Sequence, residues 1–178
     1  MPVRLVIEGG PWAGVSRAEV TRRARAMLAL LQLPDCELSI LLTGDDQIHN
    51  LNKIYRNKDR PTDVLAFAQR EGEHGERAGR LLGDVVVSVP TARRQAAAAG
   101  RALRDEMTML LAHGLLHLLG WDHRTDAEDR AMRRETDRLC AAAARPRAQR
   151  PARAPDKGKT PRRANADSIA RRAARTAR

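Results

Sequence analysis

The chain has 178 residues, of which 42% are hydrophobic, and this is enough for one domain with a buried core. Two cysteines are too few for a disulfide framework or a cysteine-rich metal site, and the longest apolar stretch, residues 107–121, is too short to span a membrane. The formal net charge of +11 lies almost entirely at the C-terminal end, since residues 144–178 hold 12 Lys and Arg against two acids. We therefore predict a nearly neutral folded domain over residues 1–143 and a basic tail over residues 144–178.

The predicted tail has four prolines and one large apolar side chain, Ile169, so we expect it to be disordered when alone. A basic arm of this kind attracts the phosphate backbone of RNA in a salt-dependent manner, although a solvated tail without a dedicated role is an equal alternative. Arg4 and Glu8 interrupt the only early hydrophobic run, which argues against a signal peptide. We predict a cytoplasmic protein.

Apolar periodicity and turn residues predict four strands and five helices. In chain order we predict a strand at 3–8, a helix at about 16–31, a strand at 37–42, a helix from 45 that Pro61 closes, strands at 63–67 and 83–88, and helices at 90–100, 103–119 and 125–143. A charged loop containing glycine is predicted at residues 69–80. Residues that suit helix caps stand at three of the helix starts: Ser16 with Glu19, Asp45, and Thr125 with Glu128.

The apolar run at 63–67 predicts a strand that is buried on both faces, and the three valines at 85–87 predict the centre of the sheet. Residues 107–119 are apolar nearly all round, which predicts a central buried helix. Strands interleaved with helices indicate an α/β domain of α+β type, with a mixed four-stranded sheet packed against helices.

Three of the five histidines fall within eleven residues at the end of the predicted buried helix. His113 and His117 are four residues apart, so on a helix they project from one face and can bind the same ion. Gly120 can adopt a left-handed conformation that turns the chain back, which lets His123 supply a third ligand. A single buried histidine is usually a hydrogen-bonded core residue, but three at this spacing favour a metal, because one ion satisfies ring nitrogens that otherwise lack partners.

The predicted cofactor is one Zn²⁺ ion, since neutral imidazole is a common zinc ligand. Three protein ligands leave a fourth coordination position for water, and an open position is typical of catalytic sites, whereas structural sites are closed by a fourth ligand. Asp122 is the one local candidate for such a ligand, and a supporting role beside the histidines is its alternative.

The same ligand spacing occurs in metzincin proteases, where a glutamate general base follows the first histidine. This chain has Gly114 at that position, which argues against peptide hydrolysis by that route. A metalloprotease with an unusual base stays an alternative.

Residues 113–123, reading HGLLHLLGWDH, resemble the His-Gly-x-Leu-His-Leu-x-Gly-x-Asp-His signature of the YbeY family of bacterial endoribonucleases. Two further segments agree with the family: residues 51–67, reading LNKIYRNKDRPTDVLAF, and residues 81–88, reading LLGDVVVS. The resemblance covers roughly residues 37–140.

The resemblance implies that the three histidines hold zinc beside the sheet and that the protein is a single-strand-specific endoribonuclease. It implies a role in rRNA processing, 16S rRNA 3′-end maturation and ribosome biogenesis, with rRNA precursors and ribosomal particles as partners. It also implies that Arg56 is catalytic, because a guanidinium can grip phosphate oxygens and stabilise the charge of the transition state. Attack by water and attack by a 2′-hydroxyl of the substrate both stay open.

Thr62, Asp63 and Asp84 fall in the matching segments, but each also suits a turn or a strand edge, and we do not assign them to catalysis. A noncatalytic ribosome-assembly factor with a structural zinc is the alternative from another class, and it predicts that Arg56→Ala leaves function intact. With one Phe, one Tyr and two Trp in the chain, we expect RNA contacts mainly to the backbone rather than extensive base stacking.

Overall fold

Strands and helices alternate along the computed structural model, which describes residues 3–69 and 79–145. In chain order the elements are β1 (Val3–Ile7), α1 (Arg17–Leu30), β2 (Glu37–Thr43), α2 (Asp45–Arg56), β3 (Val64–Ala68), β4 (Leu81–Ser88), α3 (Val89–Ala98), α4 (Leu103–Leu118) and α5 (Asp126–Ala144). Most of the loop predicted at 69–80 and of the tail predicted at 144–178 lies outside the described residues. The domain division at residue 143 therefore stays a prediction.

The strands form one mixed four-stranded sheet, as the sequence predicts, and their order in it is β1-β2-β4-β3. β1, β2 and β4 run parallel, and β3 pairs antiparallel with β4 so that Val64 lies opposite Val87 and Phe67 opposite Asp84. The three consecutive valines of β4 are buried between two neighbouring strands, which confirms their predicted place at the sheet centre.

The prediction that β3 is buried on both faces was wrong. Of its five residues only Leu65 is buried, and the other four are partly exposed. β3 is an edge strand, so it has one strand neighbour, and the helices on either side cover it only in part. Its apolar composition instead supplies a wall of the cleft described below.

Side chains of the sheet alternate between two cores. Ile40, Val85 and Val87 join the larger core, which is packed with residues of α1, α3, α4 and α5. Leu65 and Val86 point to the opposite face, where Ile48 of α2 covers them. α4 lies in the larger core with ten buried residues, which confirms the predicted central buried helix.

The predicted capping box of α5 is present, since the Thr125 hydroxyl accepts from the Glu128 N–H and the Glu128 carboxylate accepts in return. At the start of α1 only half of the predicted box forms. Ser16 accepts from the Glu19 N–H, but the Glu19 carboxylate binds Arg22 and Arg23. Hydrogen bonds from these two arginines lower the pKa of Glu19 to about 2.

The predicted cap of α2 was wrong: Gly44 is the N-cap, and Asp45 is the first helical residue. The Asp45 carboxylate accepts hydrogen bonds from Ser88 and from Thr91 Oγ1, the latter at 2.7 Å. This carboxylate therefore ties α2 to the start of α3, a long-range role that a local pattern does not reveal. In the part of the chain described here, none of the helices has both the length and the apolar character needed to cross a membrane.

Candidate metal centre

His113 and His117 project from the same side of α4 near its C-terminal end. Their Nε2 atoms are 3.1 Å apart and their ring centroids 4.7 Å apart. Two lone pairs cannot face each other at this distance without repulsion, so either one nitrogen carries a proton or a cation is shared between them. The pair is therefore preorganised to bind a positively charged atom.

Both rings are half-buried, and their surroundings favour the neutral form. Burial lowers the pKa of His113, and the neighbouring charge of His117 lowers it further. Burial also lowers the pKa of His117, with a further contribution from His123 and a smaller one from Arg56. Each neutral imidazole has one unprotonated nitrogen, which is the form that binds a metal.

The chain turns back after α4 and brings His123 to the pair. Gly120 has a φ of +82°, the left-handed conformation that its position was predicted to need. Its N–H donates to the carbonyl of His117 at 3.0 Å, which fixes the turn to the end of the helix. The His123 ring centroid lies 5.8 Å from that of His113 and 5.4 Å from that of His117. The structure thus brings the three predicted histidines together.

The dimensions of the cluster fit one zinc ion. Two nitrogens that bind a tetrahedral zinc at about 2.0 Å are about 3.3 Å apart. The 3.1 Å between His113 and His117 is close to this, and one ligand atom from each of the three histidines lies within 4.8 Å of the others. His123 is exposed and has room to close the remaining difference.

Within residues 3–69 and 79–145, no fourth His, Cys, Asp or Glu joins this cluster. The predicted candidate, Asp122, uses its carboxylate in the turn, where it accepts from the His123 N–H at 2.8 Å and from Arg124 Nε at 2.5 Å. Asp122 therefore supports the position of His123. Three imidazole nitrogen donors with one side open are a donor set that catalytic zinc sites use.

Gly114 lines the same cleft as the histidines, but a side chain at this position would start towards the sheet. A Cβ at this position would lie 2.7 Å from Val85 Cγ1 and 3.2 Å from Val64 Cγ2. The glutamate that metzincins carry after the first histidine would bring its Cβ into these two valines, so the packing of α4 on the sheet would have to shift to accommodate it. The close packing of α4 on β4 gives a physical reason for glycine at this position.

The histidines open into a cleft with a volume of about 740 Å³. Its walls are the end of α2, the edge strand β3, the end of α4 and the turn at residues 120–124. Arg56, the predicted catalytic residue, lines this cleft and is exposed. Its guanidinium makes no hydrogen bond or ion pair with any residue in 3–69 or 79–145, so it is available to an anion.

Thr62 and Asp63 also line the cleft, although their positions in the sequence equally suit a turn or a strand edge. The Asp63 carboxylate accepts from the Val64 N–H at 2.8 Å, from Thr62 Oγ1 at 3.2 Å and from Gln95 Nε2 at 3.0 Å. These bonds hold it as a fixed acceptor in the cleft wall. Asp84 lies on β4 opposite Phe67 and is not part of the cleft lining.

Sequence reasoning missed the contribution of Tyr55, Lys58 and Trp121 to the cleft. A signal was available for each, since Tyr55 and Lys58 stand beside Arg56 in the chain and Trp121 stands between the second and third histidines.

The fold and the site together define an α/β protein with a three-histidine candidate metal centre in an open, partly cationic cleft. The model of the family described as Endoribonuclease YbeY matches residues 14–144. The chain belongs to this family, as the motifs predicted.

Three relatives named Endoribonuclease YbeY illustrate the similarity. That of Anaeromyxobacter dehalogenans (strain 2CP-C) is 46% identical over 142 residues, which cover 80% of this chain and 72% of the relative. That of Synechococcus sp. (strain JA-2-3B'a(2-13)) is 50% identical over 112 residues, covering 60% and 69%. That of Aquifex aeolicus (strain VF5) is 42% identical over 123 residues, covering 69% and 80%.

The solution structure of TM1509 from Thermotoga maritima is similar in fold, with a TM-score of 0.55 and 22% sequence identity. The match covers 79% of this chain and 88% of that one. At this identity the likeness supports the fold alone.

Proposed function

We propose that the chain is a zinc-dependent endoribonuclease that cleaves single-stranded RNA. The observation that carries the proposal is the convergence of His113, His117 and His123 on a point that is open to a cleft, where the Arg56 guanidinium has no ion-pair partner among residues 3–69 and 79–145. The names of its relatives support the reaction class. We further propose that the reaction takes place in the cytoplasm on rRNA precursors and contributes to 16S rRNA 3′-end maturation and ribosome biogenesis.

The three histidines would hold one Zn²⁺ ion through neutral ring nitrogens, and the Asp122 carboxylate would keep the backbone of His123 in place. A zinc ion bound there supplies Lewis acidity, which polarises a phosphoryl oxygen and makes water a stronger acid. Arg56 would donate hydrogen bonds to the non-bridging oxygens of the scissile phosphate. Because the charge on these oxygens grows in the transition state, the bonds strengthen there and lower the barrier.

The basic tail predicted at residues 144–178 would add sequence-independent attraction to the RNA backbone. We propose that the domain at residues 1–143 carries out cleavage and that the tail contributes only to binding. A salt-dependent loss of RNA affinity on deleting the tail, with cleavage chemistry unchanged, is the result that we expect.

Peptide hydrolysis is disfavoured by packing. The position that carries the metzincin base is Gly114, and a side chain there would begin with a Cβ 2.7 Å from Val85 Cγ1 in the α4–β4 interface. The remaining alternative is a noncatalytic assembly factor, which the experiment below separates from an enzyme.

The test is cleavage of a fluorescently labelled single-stranded RNA by the zinc-loaded full chain and by Arg56→Ala. Arg134→Ala is the matched control, because Arg134 is an exposed arginine of α5 outside the cleft. Arg56→Ala should lower kcat by about 10²–10³-fold, the usual cost of removing one donor to a developing oxyanion, and the control should cleave like wild type. Undiminished cleavage by Arg56→Ala would refute the assigned role. No cleavage by the wild type would favour the noncatalytic alternative.

The same assay identifies the nucleophile. A substrate with a single 2′-deoxyribose at the scissile position is resistant if the 2′-hydroxyl attacks, and it is cleaved normally if water attacks.

A further inference from the structure

Aromatic side chains are concentrated at the cleft. The chain has one Tyr, one Phe and two Trp, and three of these four residues, Tyr55, Phe67 and Trp121, line the same cleft as the histidines. Only Trp12 lies elsewhere. Aromatic residues are therefore rare in the chain as a whole but not in the lining of this cleft.

Tyr55 is held in place and is also open to solvent. Its ring makes an edge-to-face contact with Phe67 of β3, with the centroids 5.2 Å apart and the planes at 68°. The residue is nevertheless 66% exposed. A single exposed apolar residue is ordinary on a protein surface, so exposure by itself carries no weight. The relevant observation is that a positioned aromatic ring lines the cleft and belongs to the residue that precedes Arg56 in the chain.

Trp121 supplies a second ring from a different wall. It belongs to the turn between α4 and His123 and is 38% exposed. Its backbone N–H donates to the carbonyl of Leu116 at 3.1 Å, which fixes this part of the turn to the helix end. Tyr55 reaches the cleft from the end of α2, so the two rings approach the space beside the histidines from separate elements.

Cations stand beside the rings. Arg56 and Lys58 line the cleft, and neither side chain forms an ion pair with any residue in the described ranges 3–69 and 79–145. Arg124 lines it too but is paired with Asp122. Free cations next to exposed aromatic rings are the combination with which proteins hold a single nucleic-acid strand, because cations bind phosphates and rings stack on bases.

We propose that Tyr55 and Trp121 stack on unpaired bases of the RNA strand, and that this stacking selects single-stranded over paired RNA. The inference rests on the proposed function and goes beyond it, since the low aromatic content of the chain predicts contacts mainly to the RNA backbone. Bases in a duplex already stack on each other and cannot offer their faces to protein side chains. A strand with unpaired bases can place phosphates on Arg56 and Lys58 and bases on the two rings at once.

The test uses equilibrium binding, which does not require cleavage. Fluorescence anisotropy with a labelled 2′-O-methyl oligoadenylate of about ten nucleotides is compared with the same measurement on an abasic oligomer of equal length. Tyr55→Ala should raise Kd for the oligoadenylate about tenfold and leave Kd for the abasic oligomer unchanged. Tyr55→Phe restores the ring and should restore most of the affinity.

Ile54→Ala is the matched control, because Ile54 is 72% exposed, precedes Tyr55 on α2 and does not line the cleft. It should bind both oligomers like wild type. A spectroscopic readout addresses the second ring: oligoadenylate should quench tryptophan fluorescence in wild type and Trp12→Phe but not in Trp121→Phe.

Equal affinity of the wild type for the two oligomers would overturn the proposal, as would unchanged oligoadenylate binding by Tyr55→Ala. Failure of the proposed function appears separately, as an absence of RNA cleavage by the wild type. A wild type that cleaves RNA while Tyr55→Ala binds normally refutes base stacking and leaves the enzyme assignment intact.

Discussion

Substituting alanine for Gly114 sets two effects of opposite sign against each other. Alanine in a helix interior is favoured over glycine by about 1 kcal/mol. The added methyl group, however, would lie 2.7 Å from Val85 Cγ1, and Val85 is fully buried at the centre of the sheet. Overpacking of this kind costs about 1–3 kcal/mol. The free energy of unfolding should therefore fall by up to about 2 kcal/mol in spite of the better helix propensity.

The Val85→Ala background separates the two effects. This change removes the Val85 methyl groups that the new Cβ would meet and leaves the contact with Val64 Cγ2 at 3.2 Å. In that background Gly114→Ala should raise the free energy of unfolding by up to about 1 kcal/mol. The change in the free energy of unfolding caused by Gly114→Ala is therefore negative in wild type and positive in Val85→Ala, which corresponds to a coupling energy between the two positions of about 1–3 kcal/mol.

Urea unfolding of the full chain, followed by far-UV circular dichroism, measures all four proteins of this cycle. The reasoning is refuted if Gly114→Ala stabilises wild type and Val85→Ala by the same amount. That result would mean that α4 does not lie as close to β4 at this position as the structure indicates.

Three further predictions concern the turn, a thiol and a carboxylate. Gly120 has a φ of +82° and Gly100 a φ of +63°, and a Cβ at either position would meet no atom of the described residues within 4 Å. Because of this backbone strain, Gly120→Ala and Gly100→Ala should each lower the free energy of unfolding by about 1 kcal/mol. Only Gly120→Ala should also weaken zinc binding in a chelator titration. Burial raises the pKa of Cys140 to about 11, which leaves about one thiol in a thousand ionised at pH 8. Iodoacetamide should therefore modify Cys140 slowly in the folded protein and faster once urea unfolds the chain. Rapid modification of the folded protein would contradict this. The pKa of Glu19 is lowered from 4.5 to about 2, so its stabilising contribution is complete above pH 4.5 and is lost as the pH falls towards 2. Glu19→Gln should accordingly be less stable than wild type at pH 7 and nearly equal to it at pH 2, as measured by urea unfolding, and a constant difference across this range would be inconsistent with the pKa.

Features that depend on local chemistry were predictable from the sequence. The spacing of His113 and His117, and the need for a left-handed residue at Gly120, follow from helix geometry. The capping box at Thr125 likewise needs only four neighbouring residues. The buried α4 follows from a helical segment that is apolar nearly all round, and the mixed sheet follows from strands interleaved with helices.

Features that depend on distant partners were not predictable. Asp45 has the composition of a cap, but its carboxylate is used by Ser88 and Thr91, which lie over 40 residues away in the chain. The apolar run of β3 is compatible both with a central strand and with an edge strand that forms the wall of a cleft. Likewise, the composition gives the number of aromatic residues but does not show that Tyr55 and Trp121 line the same cleft.

The most direct test of the three-histidine metal centre is the metal content of the purified full chain. After dialysis against metal-free buffer, mass spectrometry should find one zinc ion per wild-type chain, a strongly reduced amount in His117→Ala, and a wild-type amount in His49→Ala, whose histidine pairs with Asp59 outside the cleft. A wild-type chain that retains no divalent metal, or a His117→Ala chain that retains as much zinc as wild type, would contradict the claim that the three imidazoles bind one ion.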